Sequence, residues 1–365
     1  MSGVSYCCLA GQEIASGNRT LTYVRAIGDP RVAVSLRSPL IPEPAGPVPE
    51  NLSAFCAAME DSARPANEAT YLDPATDDAP WYTAGRPESA EFLGVHLTEV
   101  RVGNVIARSA SPRYPVGGTV GNLQRTQRVV SCAGSMYAST ERGMRYGERW
   151  LTAVLAGSDC DRGDDLTLLL ACDDGALRTV PWAGIVDGPT FTEWGGVPDC
   201  VMQQVAFQLA SPLPWLLHEA DVWADADVGA AETFSEMATG PTWTGDVAVV
   251  VEVTSGGPDP VTDIRLTVAY PVASECPTAN PPFVDATVPS LPPNRTLRID
   301  SARREVTVTE TSSGRVVGGM DLLTFDGLWR WAEIGACTTA CVTVSFDGAY
   351  NADTHLTAST VEREL

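Results

Sequence analysis

One amphipathic stretch, set among many short runs of strand character, constrains this chain more than any other feature. Over 142–155, Met144, Gly147, Trp150, Leu151, Val154 and Leu155 fall on one face at 100° per residue, and Arg142, Arg145, Arg149 and Thr152 fall on the other. The spacing predicts one helix laid on a sheet. Gly143 and Gly147 lie on its apolar side, where a missing Cβ lets the helix axis approach its partner, and Gly157 offers a left-handed stop. The almost continuous apolar run at 166–171 reads as a strand buried on both faces. Another strand is expected at 178–186. At 201–209 the pattern alternates, with Val205, Phe207 and Leu209 facing one way and Gln204, Ala206 and Gln208 the other. Ser211-Pro-Leu-Pro-Trp215 then ends the ladder, because proline has no N–H to donate.

The rest of the chain is mostly strand and turn. With 32 Gly and 27 Pro among 365 residues, turns are frequent, and the fold class expected is mainly β with one principal α-helix. Residues 6–26 read as a hairpin of two strands, with Leu9, Ile14, Leu21, Tyr23 and Val24 as its apolar positions. Ten of the 27 prolines fall in 30–87, which reads as an insertion or arm carrying a short helix at 51–61 and ordering against neighbouring subunits. Strands are expected at 91–109 and 124–136. These elements form an N-terminal domain over 1–220. In a C-terminal domain over 221–365, Val247, Val249, Val251 and Val253 alternate, Gly256-Gly257-Pro258 turns, and Ile264, Leu266, Val268 and Tyr270 alternate again, which predicts an antiparallel pair. A second hairpin flanks 300–304, and Val342, Val344 and Phe346 mark a further strand, so a β-sandwich is expected.

Charge narrows the function. The formal net charge is −22 and all 24 basic residues are Arg, so sequence-specific nucleic-acid binding is not expected. An acidic surface instead repels passing DNA and keeps a multi-copy assembly soluble. No apolar run reaches membrane-spanning length and no signal peptide is visible, so the chain is expected to be made in the cytoplasm as a soluble protein. The three histidines are isolated in sequence, and neither a nucleophile elbow nor a phosphate-binding loop is present, so no enzyme and no cofactor are expected. Asp159, Asp161, Asp164 and Asp165 make a weak calcium candidate, against an acidic solvent-facing loop. Of the ten cysteines, Cys160 with Cys172 and Cys337 with Cys341 are candidate disulfides, with buried reduced thiols as the alternative. Arg142, Arg145 and Arg149 are the candidate subunit interface, against a solvated helix face. Trp329 and Trp331 share a strand face and are a weak candidate sugar contact, against a place in the core.

The order of several short motifs resembles the minor tail proteins of actinobacterial siphophages, and more broadly the distal tail protein. It begins with Leu9-x-Gly-x-Glu-Ile14, continues with Pro80-Trp81-Tyr82 and Arg86-Pro-Glu-Ser89, and reaches Gly147-Glu-Arg-Trp-Leu151 with Gly157 and Cys160. Thr296-Leu-Arg-Ile-Asp300, Arg304-Glu-Val-Thr-Val308 and Leu328-Trp329 follow in the C-terminal part. The resemblance implies an N-terminal belt domain and a C-terminal galectin-like β-sandwich. It further implies a ring, normally a hexamer, at the virion tail tip, with tail tube protein, tail hub and other minor tail proteins as partners and a channel left for DNA. The competing function class is a carbohydrate-binding adhesin of the cell surface or virion.

Overall fold

The computed structural model describes residues 4–26, 71–103, 106–112, 118–157, 164–170, 177–193, 201–230, 232–241, 245–271, 282–325, 331–351 and 353–364. The helix expected at 51–61 and most of the proline-rich segment lie outside them. The fold is β-rich with one principal helix, in two units, Met1–Leu216 and Leu217–Leu365.

In the first unit β1 (Val4–Leu9) and β2 (Gln12–Ser16) form a hairpin whose two turn residues, Ala10 and Gly11, both have positive φ. Such turns follow the right-handed strand twist, which favours glycine in the pair. The second strand expected within 6–26 ends at Ser16, and α1 (Gly17–Ala26) replaces its remainder. Ser16 Oγ accepts the Arg19 N–H at 3.3 Å as an N-cap, and Thr20, Tyr23 and Val24 are buried at helical spacing. A short apolar run fits either period, and here the cap and the buried face decide for helix.

After α2 (Pro87–Glu91) come β3 (Phe92–Val102), β4 (Ile106–Pro112), β5 (Gly118–Arg125) and β6 (Arg128–Ala138). The single strand expected at 124–136 is therefore two, broken at 126–127. The principal helix α3 (Glu141–Gly157) precedes β7 (Asp164–Leu170), β8 (Leu177–Glu193) and β9 (Val201–Ser211). β8 is long enough to serve two sheets. Its first part pairs with β7, which pairs with β1, and its second part joins the antiparallel order β3-β6-β9-β8.

α3 packs across one face of that four-stranded sheet, starting from a Thr140 cap whose Oγ1 accepts the Gly143 N–H at 3.0 Å. Gly143, Met144, Gly147, Leu151 and Leu155 are buried on the expected side, together with Tyr146, whose hydroxyl donates to the Trp81 carbonyl at 2.7 Å. Close approach requires the glycines: a Cβ on Gly143 would stand 2.7 Å from the Glu91 backbone, and one on Gly147 would enter the Phe92 ring. Gly157 is the last helical residue but has no positive φ, so it is not the left-handed stop expected.

β10 (Leu216–Leu217) straddles the unit boundary. The second unit holds β11 (Asp221–Asp227), β12 (Thr233–Thr239), β13 (Gly245–Ser255), β14 (Val261–Ala269), β15 (Val284–Leu291), β16 (Arg295–Asp300) and β17 (Glu305–Glu310). β18 (Val316–Gly318), β19 (Thr324–Phe325), β20 (Glu333–Gly335), β21 (Thr339–Phe346) and β22 (Thr354–Glu364) complete it. One sheet runs β18-β17-β16-β13-β22-β11, with β20 on the β16 side of β13, and the other runs β12-β21-β14-β15-β19. Their inner faces share one core, including Val249, Val251 and Val253 from the first and Ile264, Leu266 and Val344 from the second. This is a β-sandwich.

The pair expected between β13 and β14 does not form, since the two strands belong to opposite sheets. The intervening segment is an arch rather than a tight hairpin. Gly256 N–H donates to Asp353 O at 3.2 Å, and a Cβ on Gly257 would meet the Asn351 side chain at 2.6 Å, so the loop is held against the turn before β22 while it crosses sheets. Alternation identifies a strand's buried face but not its neighbour. The hairpin around 300–304 does form, with Asp300 opposite Glu305.

Candidate functional site

The four-stranded sheet of the first unit has two unlike faces. On β6 and β9, Val130, Cys132, Val205, Phe207 and Leu209 point into the core under α3. Register then places Ser131 opposite Gln208, Ala133 opposite Ala206, and Ser135 opposite Gln204 on the reverse face. The β9 members are exposed and the β6 members half-buried. These two central strands present no charged side chain there between Val129 and Ala210.

The flanking strands alter this little. Opposite Ser135, β3 carries His96, whose burial holds its pKa below the ordinary histidine value, so the ring is neutral at pH 7. Its Nδ1 has no hydrogen-bond partner. Glu99 and Arg101 form an ion pair with each other and cancel. On β8, Thr190 and Thr192 are exposed opposite Ala206 and Gln204, and Asp187 adds one carboxylate opposite Gln208. In a chain of net charge −22, this face is close to neutral and is built of Ser, Ala, Gln and Thr.

The face is backed rigidly. Trp81 is 1% exposed, donates from Nε1 to Phe92 O at 2.8 Å, and meets Tyr23, Phe92 and Trp150 edge-on with ring centroids 5.3–6.4 Å apart. At the end of β9, the buried Arg128 guanidinium donates to Pro214 O from Nε at 2.8 Å and from Nη2 at 2.6 Å. That fork ties the Pro-rich exit to the first residue of β6.

The candidate residues from sequence are not gathered into one place. Arg142, Arg145 and Arg149 line the exposed side of α3, and Arg142 is engaged within its own chain by the Glu91 carboxylate. Arg149 Nε donates to Arg145 O at 3.2 Å, along the helix. Asp159 and Asp161, with Cys160 and Cys172, lie outside the described residues, as does the side chain of Asp164; Asp165 is half-buried. Among the described residues, no three His, Cys, Asp or Glu side chains gather in a way that could hold a metal ion. Cys341 is disulfide-bonded, but Cys337 stands outside that bond, so the ring expected between them is not made. Cys337 is exposed in a turn while Cys341 is buried within β21, which separates their environments. Trp329 lies outside the described residues, and Trp331 packs half-buried against the sandwich core.

Sequence reading missed the partners of two histidines. His355 on β22 sits between Asp225, 2.8 Å from Nε2, and Asp227, 3.0 Å from Nδ1, because β11 pairs with β22 in that register. His218 Nε2 lies 3.4 Å from Glu364 Oε2. The Asp225-x-Asp227 alternation was a signal that two carboxylates share a strand face, but their neighbour was set by pairing over more than a hundred residues.

No family model matches the chain, and no curated protein matches it. Several solved structures are similar, including two from phages. One is the crystal structure of the SPP1 Dit (gp 19.1) protein, described as a paradigm of hub adsorption apparatus in phages infecting Gram-positive bacteria. It has 13% identity and a TM-score of 0.44, over 77% of this chain and 97% of that one. The other is the phage P2 baseplate in its activated conformation with Ca, with 8% identity and a TM-score of 0.43, over 74% of this chain and 91% of that one.

Proposed function

We propose that this chain is a structural protein of a phage tail tip, a distal tail protein whose copies close into a ring. In this reading the ring is a hexamer that joins the tail tube protein to the hub and other minor tail proteins. It leaves a channel for DNA, and it acts through surfaces rather than catalysis. The protein is made in the host cytoplasm and ends in the virion. The observation that carries the reading is the near-neutral reverse face of β3-β6-β9-β8. A channel wall for DNA must not bind phosphates, since each neutralised phosphate releases counterions and adds affinity, so cations are unwanted on it. Short neutral side chains on a helix-backed sheet meet that requirement, and ring closure turns the same face of every copy inward.

The first test is the mass and symmetry of the purified protein by light scattering and negative-stain imaging, alone and with tail tube protein. A ring with an open centre, free or on tube ends, is expected. A monomer indifferent to tube protein would overturn the proposal. In assembled particles, replacing both Gln204 and Gln208 by Arg should slow DNA delivery without preventing ring formation. Unchanged delivery would remove this sheet face from the channel.

A further inference from the structure

One long stretch of this acidic chain contains no acid. Residues 100–140 hold five of the 24 arginines and neither Asp nor Glu, in a chain of net charge −22. Two of the five are engaged at home: Arg101 pairs with Glu99, and Arg128 is buried against Pro214 O. Of the others, Arg108 lies on β4 and Arg125 on β5.

β4 and β5 form a ribbon of their own. They pair with each other from Ile106 opposite Arg125 to Pro112 opposite Gly118, and among the described residues no third strand joins either. The ribbon continues the β3–β6 pair, which ends with Val102 opposite Val130, past the point where β9 stops with Ser211 opposite Arg128. Its neck is fixed: Gly103 N–H donates to Val129 O at 2.7 Å, and a Cβ on Gly103 would stand 2.8 Å from the same oxygen. Seven residues of strand span about 24 Å, and a two-stranded ribbon of that length is marginal in water unless something covers it. Register puts Ile106, Arg108, Leu123 and Arg125 on one face, and Ala107 and Gln124 on the other. The first face combines aliphatic with cationic positions, which suits a cover that is partly apolar and anionic.

We propose that this ribbon docks on an acidic surface of a second copy of the chain. The proposal rests on the assembly reading in needing more than one copy, and it names the surface that meets the neighbour. Charge selects the occupant. Each copy is strongly acidic outside this stretch, so the ribbon attracts the body of a neighbour while the two bodies repel each other. Ribbon on one copy and acidic body on the next make a head-to-tail contact, the kind that closes rings. Duplex DNA is the competing polyanion, but a pair of arginines releases few counterions and the acidic body opposes its approach.

The test uses the full chain with Leu123→p-benzoylphenylalanine, a photo-crosslinker, in a mixture of isotopically heavy and light protein. Irradiation should join position 123 of one copy to an acidic segment of another. Light scattering should show assembly weakening as salt rises, and weakening roughly tenfold or more when Arg108→Glu and Arg125→Glu are combined. Arg108→Gln with Arg125→Gln should weaken it less, and Arg315→Glu, at an exposed turn of the second unit, should leave it unchanged. Circular dichroism and melting establish that each variant is folded, and the Gln pair gives the reading if charge reversal unfolds the chain. Wild-type protein that stays monomeric, alone and with tail tube protein, would remove the assembly reading and this proposal with it. Assembly indifferent to the ribbon substitutions, cross-links confined to one chain or made only to tail tube protein, or ribbon-dependent binding of duplex DNA without cross-links between copies would each overturn the ribbon contact alone.

Discussion

The two units solve the same problem, holding a β-rich core in register, with different materials. In the first, aromatic rings do it: Trp81 meets Tyr23, Phe92 and Trp150 edge-on, its indole N–H donates to the Phe92 carbonyl, and the neighbouring Tyr146 hydroxyl donates to the Trp81 carbonyl. In the second, ions do it. Arg363, wholly buried on β22, forks onto Asp246 of β13, with Nη2 2.6 Å from Oδ2, and reaches Glu333 on β20 at 3.1 Å and Ser301 O at 3.3 Å. Asp300, also wholly buried, accepts from Arg298 at 2.9 Å and from the Arg303 side chain at 3.0 Å. The contrast teaches where each device fits. Rings fill the space between a helix and a sheet without fixing strand order, whereas the Arg363–Asp246 pair joins residues directly opposite on neighbouring strands and penalises every other register, and the Asp300 ions hold the local turn.

The largest effect should come from removing the central ring. Trp81→Ala deletes a fully buried indole and should cost about 3–5 kcal/mol, read as lost hydrogen-exchange protection in 71–157 with 245–364 unchanged. Equal loss in both units would erase the comparison. Next, Asp246→Ala strips the buried Arg363 of its two-bonded partner. Because Glu333 remains, the cost should be about 3 kcal/mol, the lower end for breaking a buried pair. Exchange should rise first in β13 and β22; no loss there would show that the ions are not what holds these strands. Gly147→Ala should cost about 1–3 kcal/mol, because the added methyl lifts α3 off Phe92, and tryptophan fluorescence from Trp81 and Trp150 should shift with it.

The mildest separation is by acid. Burial raises the Asp300 pKa, but Arg303 and Arg298 outweigh it and leave the carboxyl below its ordinary value. Burial likewise works against Glu333, and Arg304 with Arg363 overcomes it. Both folded values are depressed, so their stabilisation is complete above the unfolded carboxylate pKa of about 4 and is lost as pH falls through the folded values. The aromatic cluster has no such buried carboxyl, and the carboxyls held below their ordinary value within 71–157, Glu91 and Asp73, are surface groups. Between roughly pH 4 and pH 2, exchange protection in the second unit should fall before that in 71–157. The reverse order would break the contrast.

Much of this was legible in the sequence, for a physical reason in each case. Periodicity is local, so the α3 faces, the β9 alternation and the β16–β17 hairpin could be read from neighbours a few residues apart. Two glycines on an apolar helix face announced a close approach, and Glu91 and Phe92 are what they approach. Short segments were less secure, as the strand expected after Ser16 shows: α1 satisfied both periods, and the Ser16 cap settled it. The helix arginines looked like a free cationic stripe until Glu91, on another element, took Arg142.

What the sequence by itself determined is the kind of each long element and the face it buries, because side-chain burial follows backbone period. What only the tertiary structure decided is which elements meet. The β13–β14 arch, the Arg363 fork, the placing of His355 between two aspartates and the Arg265–Asp285 pair across β14 and β15 all depend on strand neighbours. Pairing energy is set across sheets by residues tens to more than a hundred positions apart, and no local pattern carries that information.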